Sequence, residues 1–231
     1  MRRYIFPPLQ PFLLILFLLV FPLFLFLFLF GIPLAFTKLG IPPSIALLLF
    51  LLALIGSMIN IPIKEIRRQP RFLDVNMVSF WGIRYFIPYE SFEKTVLAIN
   101  LGGAIIPILV SIYQIIRAIL LLRSPSLLVE MLIGVMIVSL LCHCIAKPVT
   151  GVGIAMPALI PPVVSAIIGI MLSPSYAAPV AYVSGTMGTL VGADIMNLHV
   201  VEKLDAPVVS IGGAGTFDGI FLTGVVAVLL L

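Results

Sequence analysis

The 231-residue chain is 62% hydrophobic and only 10% charged, with a mean hydropathy of +1.29. A soluble domain carries roughly 25% charged residues, so too few remain here to cover a water-facing surface, and lipid is the expected solvent. The net charge of +4 then reads as a topology signal, and no nucleic-acid partner is expected.

A span needs about 20 apolar residues to cross a hydrocarbon core of about 30 Å. The expected fold is therefore an all-α, polytopic membrane protein of about seven transmembrane helices (six to eight) with no large soluble domain. Residues 1–231 form a single membrane domain on this reading. Arg2 and Arg3 precede the first apolar run, Leu9 to Phe36. It is longer than a signal-peptide core and lacks a small-residue cleavage site, so it reads as a retained span, with Pro22 and Pro33 as kinks or ends. The second run extends from Pro43 to Ile61. Residues 63–94 are the main polar segment, and its aromatic, partly alternating stretch from Asp74 to Tyr89 predicts a short hairpin or an interfacial segment.

The third span is expected from Thr95 to Ile116, with Asn100, Gly102, Gly103 and Pro107 inside it, and the fourth from Leu127 to Ala146. Cys142 and Cys144 flank His143 there. No second ligand pair follows at zinc spacing, so these read as packed helix residues, with no metal and no cofactor expected. The fifth region, Val149 to Leu172, is broken by Gly151, Gly153, Pro157, Pro161 and Pro162. It reads either as one kinked helix or as a re-entrant piece followed by a shorter helix. Ala177 to Leu198 is the sixth span, and Ala206 to Leu231 the seventh.

Seven crossings with a cytoplasmic N-terminus put ten basic residues inside: Arg2, Arg3, Lys64, Arg67, Arg68, Arg71, Arg84, Lys94, Lys147 and Lys203. Only Lys38, Arg117 and Arg123 fall outside. That is the bias of a multi-pass cell-membrane protein whose C-terminus lies outside. The parity holds only if residues 149–172 cross.

Ionisable residues inside apolar spans cost several kcal/mol unless paired or hydrated, which singles out Glu130, Asp194 and Asp218. Glu130 sits near a helix end and reads as interfacial. Asp194 lies in Gly192-Ala-Asp-Ile-Met-Asn197 and Asp218 in Gly212-Gly-Ala-Gly-Thr-Phe-Asp-Gly219. The connection between those spans is short, so antiparallel helices are expected to hold the two carboxylates at neighbouring depths. Gly192, Gly213, Gly215 and Gly219 allow close backbone or substrate approach. Asn100, Pro157 and Asn197 are candidate path or supporting residues. Ala177, Ala181 and Gly185, then Ser184, Gly188 and Gly192, and Gly215, Gly219 and Thr223 recur at four-residue spacing, the pattern of closely packed membrane helices.

Packing alone accounts for the glycines, with the aspartates satisfying loosened backbone. Two chemistries suit the pair beyond that. Two close carboxylates share a proton, so one activates water while the other donates to a substrate carbonyl, which is aspartic proteolysis of a transmembrane peptide. Alternatively the pair binds and releases H⁺ or Na⁺ in coupled transport of a small solute, since glycine-broken helices mark transporter sites. An echo between Asn100-Leu-Gly-Gly-Ala104 and Ser210-Ile-Gly-Gly-Ala214 bears on the second. A non-catalytic membrane scaffold is the third reading. The lipid bilayer is the partner common to all three.

The segments Asn100-Leu-Gly-Gly-Ala-Ile-Ile-Pro107, Lys147-Pro-Val-Thr-Gly-Val-Gly-Ile-Ala-Met-Pro157, Gly192-Ala-Asp-Ile-Met-Asn-Leu198 and Ser210-Ile-Gly-Gly-Ala-Gly-Thr-Phe-Asp-Gly-Ile-Phe221 carry a resemblance. With them the chain resembles a family of prokaryotic membrane proteins, the domain of unknown function 1614, over most of its length after about residue 60. That resemblance implies a membrane fold and no activity. The chain is more distantly similar to presenilin and signal-peptide-peptidase proteases, which pair one helix aspartate with a second in Gly-x-Gly-Asp. Here Asp218 falls two residues later than in that motif, Ala193 stands where those proteases have tyrosine, and Pro157-Ala-Leu159 precedes both aspartates instead of following them.

Overall fold

The computed structural model describes residues 9–67, 77–80, 83–86, 94–149, 153–203, 206–213 and 219–231. Asp218 and Gly215 lie outside these residues. Helix α1 (Leu9–Phe26) runs through a π-helical turn, Leu27–Gly31, into α2 (Ile32–Lys38). Pro22 is accommodated inside α1. Gly40, at φ +77°, turns the chain into α3 (Pro43–Gly56), which starts on a proline whose missing N–H costs nothing at a first helical position. After the polar segment, a π-helical turn at Leu101–Ile105 opens α4 (Ile106–Leu120), and α5 (Pro125–Ile145) again starts on proline. Helix α6 (Ile160–Leu172) leads through a 3₁₀ turn, Pro174–Tyr176, to α7 (Ala177–Thr189). A π-helical turn, Leu190–Asp194, and a 3₁₀ stretch, Ile195–Lys203, extend α7, and α8 (Gly219–Leu229) closes the chain.

The fold is mostly helical, and two of its helical stretches, Leu101–Leu120 and Pro125–Ile145, are long and apolar enough to cross a membrane. It is not purely α. Strands β1 (Asn60–Arg67), β2 (Met77–Phe80), β3 (Ile83–Phe86), β4 (Lys94–Asn100), β5 (Lys147–Val149), β6 (Gly153–Ala155) and β7 (Val208–Ile211) punctuate the helices. The expected second span therefore ends at Gly56 and not Ile61, and the third starts helically at Leu101 and not Thr95. The reason is local: Ile61, Ile63 and Ile66, then Thr95, Val96 and Ile99 are β-branched and fit a pleated, half-buried surface better than a helix. The seventh span likewise begins with a strand.

Strands order as β1-β4-β7 in one sheet. β1 and β4 are antiparallel with an irregularity between Pro62 and Lys64, and β7 lies parallel to β4 with Val96 opposite Val208 and Ile99 opposite Ile211. β2 and β3 pair from Met77–Phe86 to Phe80–Ile83, the hairpin expected for the aromatic segment. The broken fifth region resolves into a hairpin, β5 with β6, followed by a separate short helix.

Helix α7 is the packing centre, with α5, α6, α8 and α4 around it. Its four-residue spacings of small residues set those contacts. Gly188 leaves room for Val138, Gly192 for the Ser139 backbone, and Gly185 for Ser165 and Thr223, while Gly134 on α5 accommodates Ser184. Small residues at these positions let the helix backbones approach closely, the packing mode of helices that meet in lipid. Large apolar side chains outside this core stay exposed, including Ile15 to Phe21 along one stretch of α1.

Candidate functional site

Asp194 ends the π-helical turn of the sixth apolar segment, where the hydrogen-bonding pattern switches to 3₁₀. Such switches leave carbonyls short of partners. Asn197 answers this directly, with its side-chain amide donating to the Gly192 and Ala193 carbonyls at 3.0 Å each. The supporting role expected of Asn197 is thus a structural one: it fixes the backbone on either side of Asp194. Gly192 adds a second constraint, since any side chain there would overlap the Ser139 carbonyl of α5. The backbone that carries Asp194 is thus fixed on its N-terminal side at Gly192 and Ala193.

Asp194 is half-buried and lines a cavity of about 100 Å³ with Leu97, Gly153, Ser210 and Gly213 among its walls. Three elements distant in sequence meet here: β4, the β5–β6 hairpin and β7. Gly213 is the first expected glycine that the structure places beside Asp194. It adopts φ +87°, after Gly212 at φ +83°, and its N–H donates to the Ser210 carbonyl at 3.2 Å. These left-handed residues turn the chain sharply at the end of β7, a conformation that disfavours other side chains. Gly219 lies against Met156 and near Thr189 of α7. Both described flanks of residues 214–218 therefore lie on the Asp194 side of the bundle.

Asn100 is fully buried and caps the π-helical turn after β4. Its carbonyl oxygen accepts from the Gly103 N–H at 2.7 Å, and its amide donates to the Ser57 carbonyl at 2.7 Å and to Asn60 Oδ1 at 3.0 Å. Ser210 Oγ also donates to Asn60 Oδ1, at 2.7 Å. This buried joint ties β1, β4 and β7 together. Sequence reasoning assigned neither Asn60 nor Ser210 a site role: Asn60 falls at the end of the second apolar run, and Ser210 enters only as the first residue of the echoing Gly-Gly segment.

The echoing Gly-Gly pairs meet in space. A side chain at Gly103 would overlap the Gly212 carbonyl, and one at Gly212 would press on Ala104. Each pair follows a strand, and those strands are parallel neighbours. Pro157 is exposed between β6 and α6, outside the lining of the Asp194 cavity. Cys142 is buried with its sulfur 3.7 Å from Thr189 Oγ1, whereas Cys144 is exposed. The two thiols thus point into different surroundings, and among the described residues no three His, Cys, Asp or Glu side chains gather as metal ligands.

The interior near α7 is rich in buried hydroxyls. Tyr182, Ser184, Thr186, Thr189, Ser165 and Thr223 are all buried. Ser139 and Ser184 have no hydrogen-bond partner among the described residues. Such groups cost free energy in a dry interior and gain from a bound water or ion.

A family model described as "Protein of unknown function (DUF1614)" matches residues 54–230, and the chain belongs to that family. No curated protein and no solved structure matches it.

Proposed function

We propose that Asp194, together with Asp218, forms an acid site at the cytoplasmic side of a seven-crossing membrane protein and acts as an intramembrane aspartic peptidase on an extended peptide. The observation that carries this reading is the setting of Asp194 beside β7. Among the described residues that strand has one partner, β4, in the order β1-β4-β7, and its residues Val208 to Ile211 form a wall of the cavity that Asp194 lines. An edge strand offers unpaired N–H and C=O groups to an incoming extended segment. A peptide added to β7 would carry its own carbonyls past Asp194. One carboxylate of the pair then activates water, and the other, protonated, donates to the scissile carbonyl.

The orientation follows from the charges. Lys38 and Arg117 share one cavity, whereas Lys64 and Lys94 belong to the sheet at the Asp194 end. The positive-inside bias supports a cytoplasmic position for that sheet.

Transport coupled to H⁺ or Na⁺ is the second reading, favoured by the break in the helix at Asp194 and by the two abutting strand–Gly-Gly units. One experiment separates the two. Asp194→Asn and Asp218→Asn are each assayed for cleavage of reconstituted membrane peptides and for proton-coupled uptake in liposomes. The peptidase reading requires cleavage by the parent and its loss in either variant. Uptake that depends on the aspartates, without cleavage by the parent, sinks it in favour of transport.

A further inference from the structure

At the end of the bundle opposite the sheet lies a cavity of about 220 Å³. It is formed where α2 and α4 end and where α5 and α7 begin. Its charged lining consists of Lys38 and Arg117, and no carboxylate lines it. Both cations stand in the last turns of α2 and α4, where a helix C-terminus favours positive charge, but among the described residues no carboxylate faces them across the cavity.

Arg117 is not a loose surface side chain. It is partly buried, and one guanidinium nitrogen donates to the Leu39 carbonyl, which also accepts from the Gln114 amide at 3.1 Å. Gln114 is 2% exposed, so this anchor is fixed inside the bundle. The guanidinium lies directly over Gly40, where a Cβ would collide with both terminal nitrogens. A bond to one carbonyl uses only part of a fork of five N–H donors. Capping the end of α2 explains that first bond and leaves the remaining donors unexplained, since they have no partner among the described residues. Lys38 is exposed beside them and makes no ion pair among those residues.

The far wall is the start of α7. No side chain caps this helix, and Ser175 and Tyr176 line the cavity just before it. A helix N-terminus carries partial positive charge, and here it comes without an N–H from Pro179 in the first turn. A planar guanidinium fork, an ammonium and a helix N-terminus therefore converge on one small space.

We propose that this cavity binds a phosphate-type oxyanion, with Arg117 and Lys38 as its charged ligands. The volume is below the roughly 300–1,000 Å³ of pockets that enclose drug-sized molecules. It suits a phosphate group with little attached, either a free phosphate or the head group of a phospholipid entering from the bilayer. The site is independent of the acid site at Asp194 and of the chemistry proposed there.

The full chain, purified in a maltoside detergent, provides the test. Its thermal stability is followed against sodium phosphate, with sodium chloride at equal ionic strength as the reference. A parallel titration uses phosphatidylglycerol, with a galactolipid lacking phosphate as the reference. A ligand that binds the folded state raises the midpoint by an amount that grows with ln(1 + L/Kd), where L is the free ligand concentration. Stabilisation by both phosphate and phosphatidylglycerol, or by phosphate alone, identifies a free-oxyanion site; stabilisation by the phospholipid alone identifies a head-group site. In either case Lys38→Gln and Arg117→Gln should each weaken the apparent affinity about tenfold. Lys38 holds no hydrogen bond in the fold among the described residues, so its variant keeps the test valid even if Arg117→Gln fails to fold. No stabilisation by either compound overturns the proposal. An equal response in Lys38→Gln and the parent does so too.

Discussion

Gly192 stands two residues before Asp194 and touches the backbone of α5. A methyl group there meets the Ser139 carbonyl and its Cα, and neither can rotate away as a side chain can. The helices must separate, at a cost of about 1–3 kcal/mol for overpacking. The same displacement carries Asp194 out of its cavity. Gly192→Ala should therefore lower the melting temperature and reduce activity more than the stability loss alone explains. Gly31→Ala is the control, since its new methyl finds only Leu229 at 3.5 Å, and it should melt close to the parent. Equal melting of the two variants would remove the backbone contact as the reason for a glycine at 192. At this scale the sequence singles out Asp194 because charge is costly in lipid, and the structure sets it on a cavity wall. The Asn100–Asn60–Ser210 joint was not legible there, since its members become neighbours only when three distant strands pair.

The free edge of β7 can be tested by removing one N–H. Val96 N–H donates to the Pro207 carbonyl at 2.9 Å. Residues of a strand alternate between its two edges, so Pro207, Val209 and Ile211 address β4 while the Val208 N–H addresses the open side. Val208→Pro deletes that donor and leaves the bonds to β4 in place. Proline is tolerated at such edge positions. Peptide cleavage should fall up to about tenfold, the worth of one main-chain hydrogen bond, with little change in melting temperature. Val209→Pro, which removes a bond to β4, should instead destabilise the sheet. If Val208→Pro cleaves as the parent does, peptide addition at β7 is wrong. The strands themselves show the limit of reading elements from hydropathy. Apolar β-branched residues at 61–66 and 95–99 extend a hydrophobic run as well as a helix does, and only their pairing partners decide the outcome. The short hairpin at 77–86 was legible, because aromatic residues alternate there about a glycine.

For the molecule as a whole, the question left by hydropathy is whether residues 149–172 cross. Helix α6 has 13 residues, about 20 Å at 1.5 Å per residue, against a core of about 30 Å. Alone it is too short. The preceding hairpin adds no net depth, because its pairing returns Ala155 to the side of Lys147, so any crossing falls to residues 156–172. Ser175, just beyond α6, lines the same cavity as Lys38, so those two positions must lie on one face of the membrane, whichever face it is. If α6 crosses, Lys147, just before the hairpin, lies on the other. Single cysteines at 38, 147 and 175, in a background with Cys142 and Cys144 replaced by serine, make this measurable with a membrane-impermeant maleimide on intact cells. Labelling of positions 38 and 175 without lysis, and of 147 only after it, establishes both the crossing and the outward face of the cationic cavity. The inverse pattern keeps the crossing and reverses the orientation, which would also place Asp194 on the outer side. If positions 147 and 175 label together, α6 does not cross. The parity that puts the C-terminus outside then fails, and the sheet and the cationic cavity cannot sit on opposite faces of the membrane.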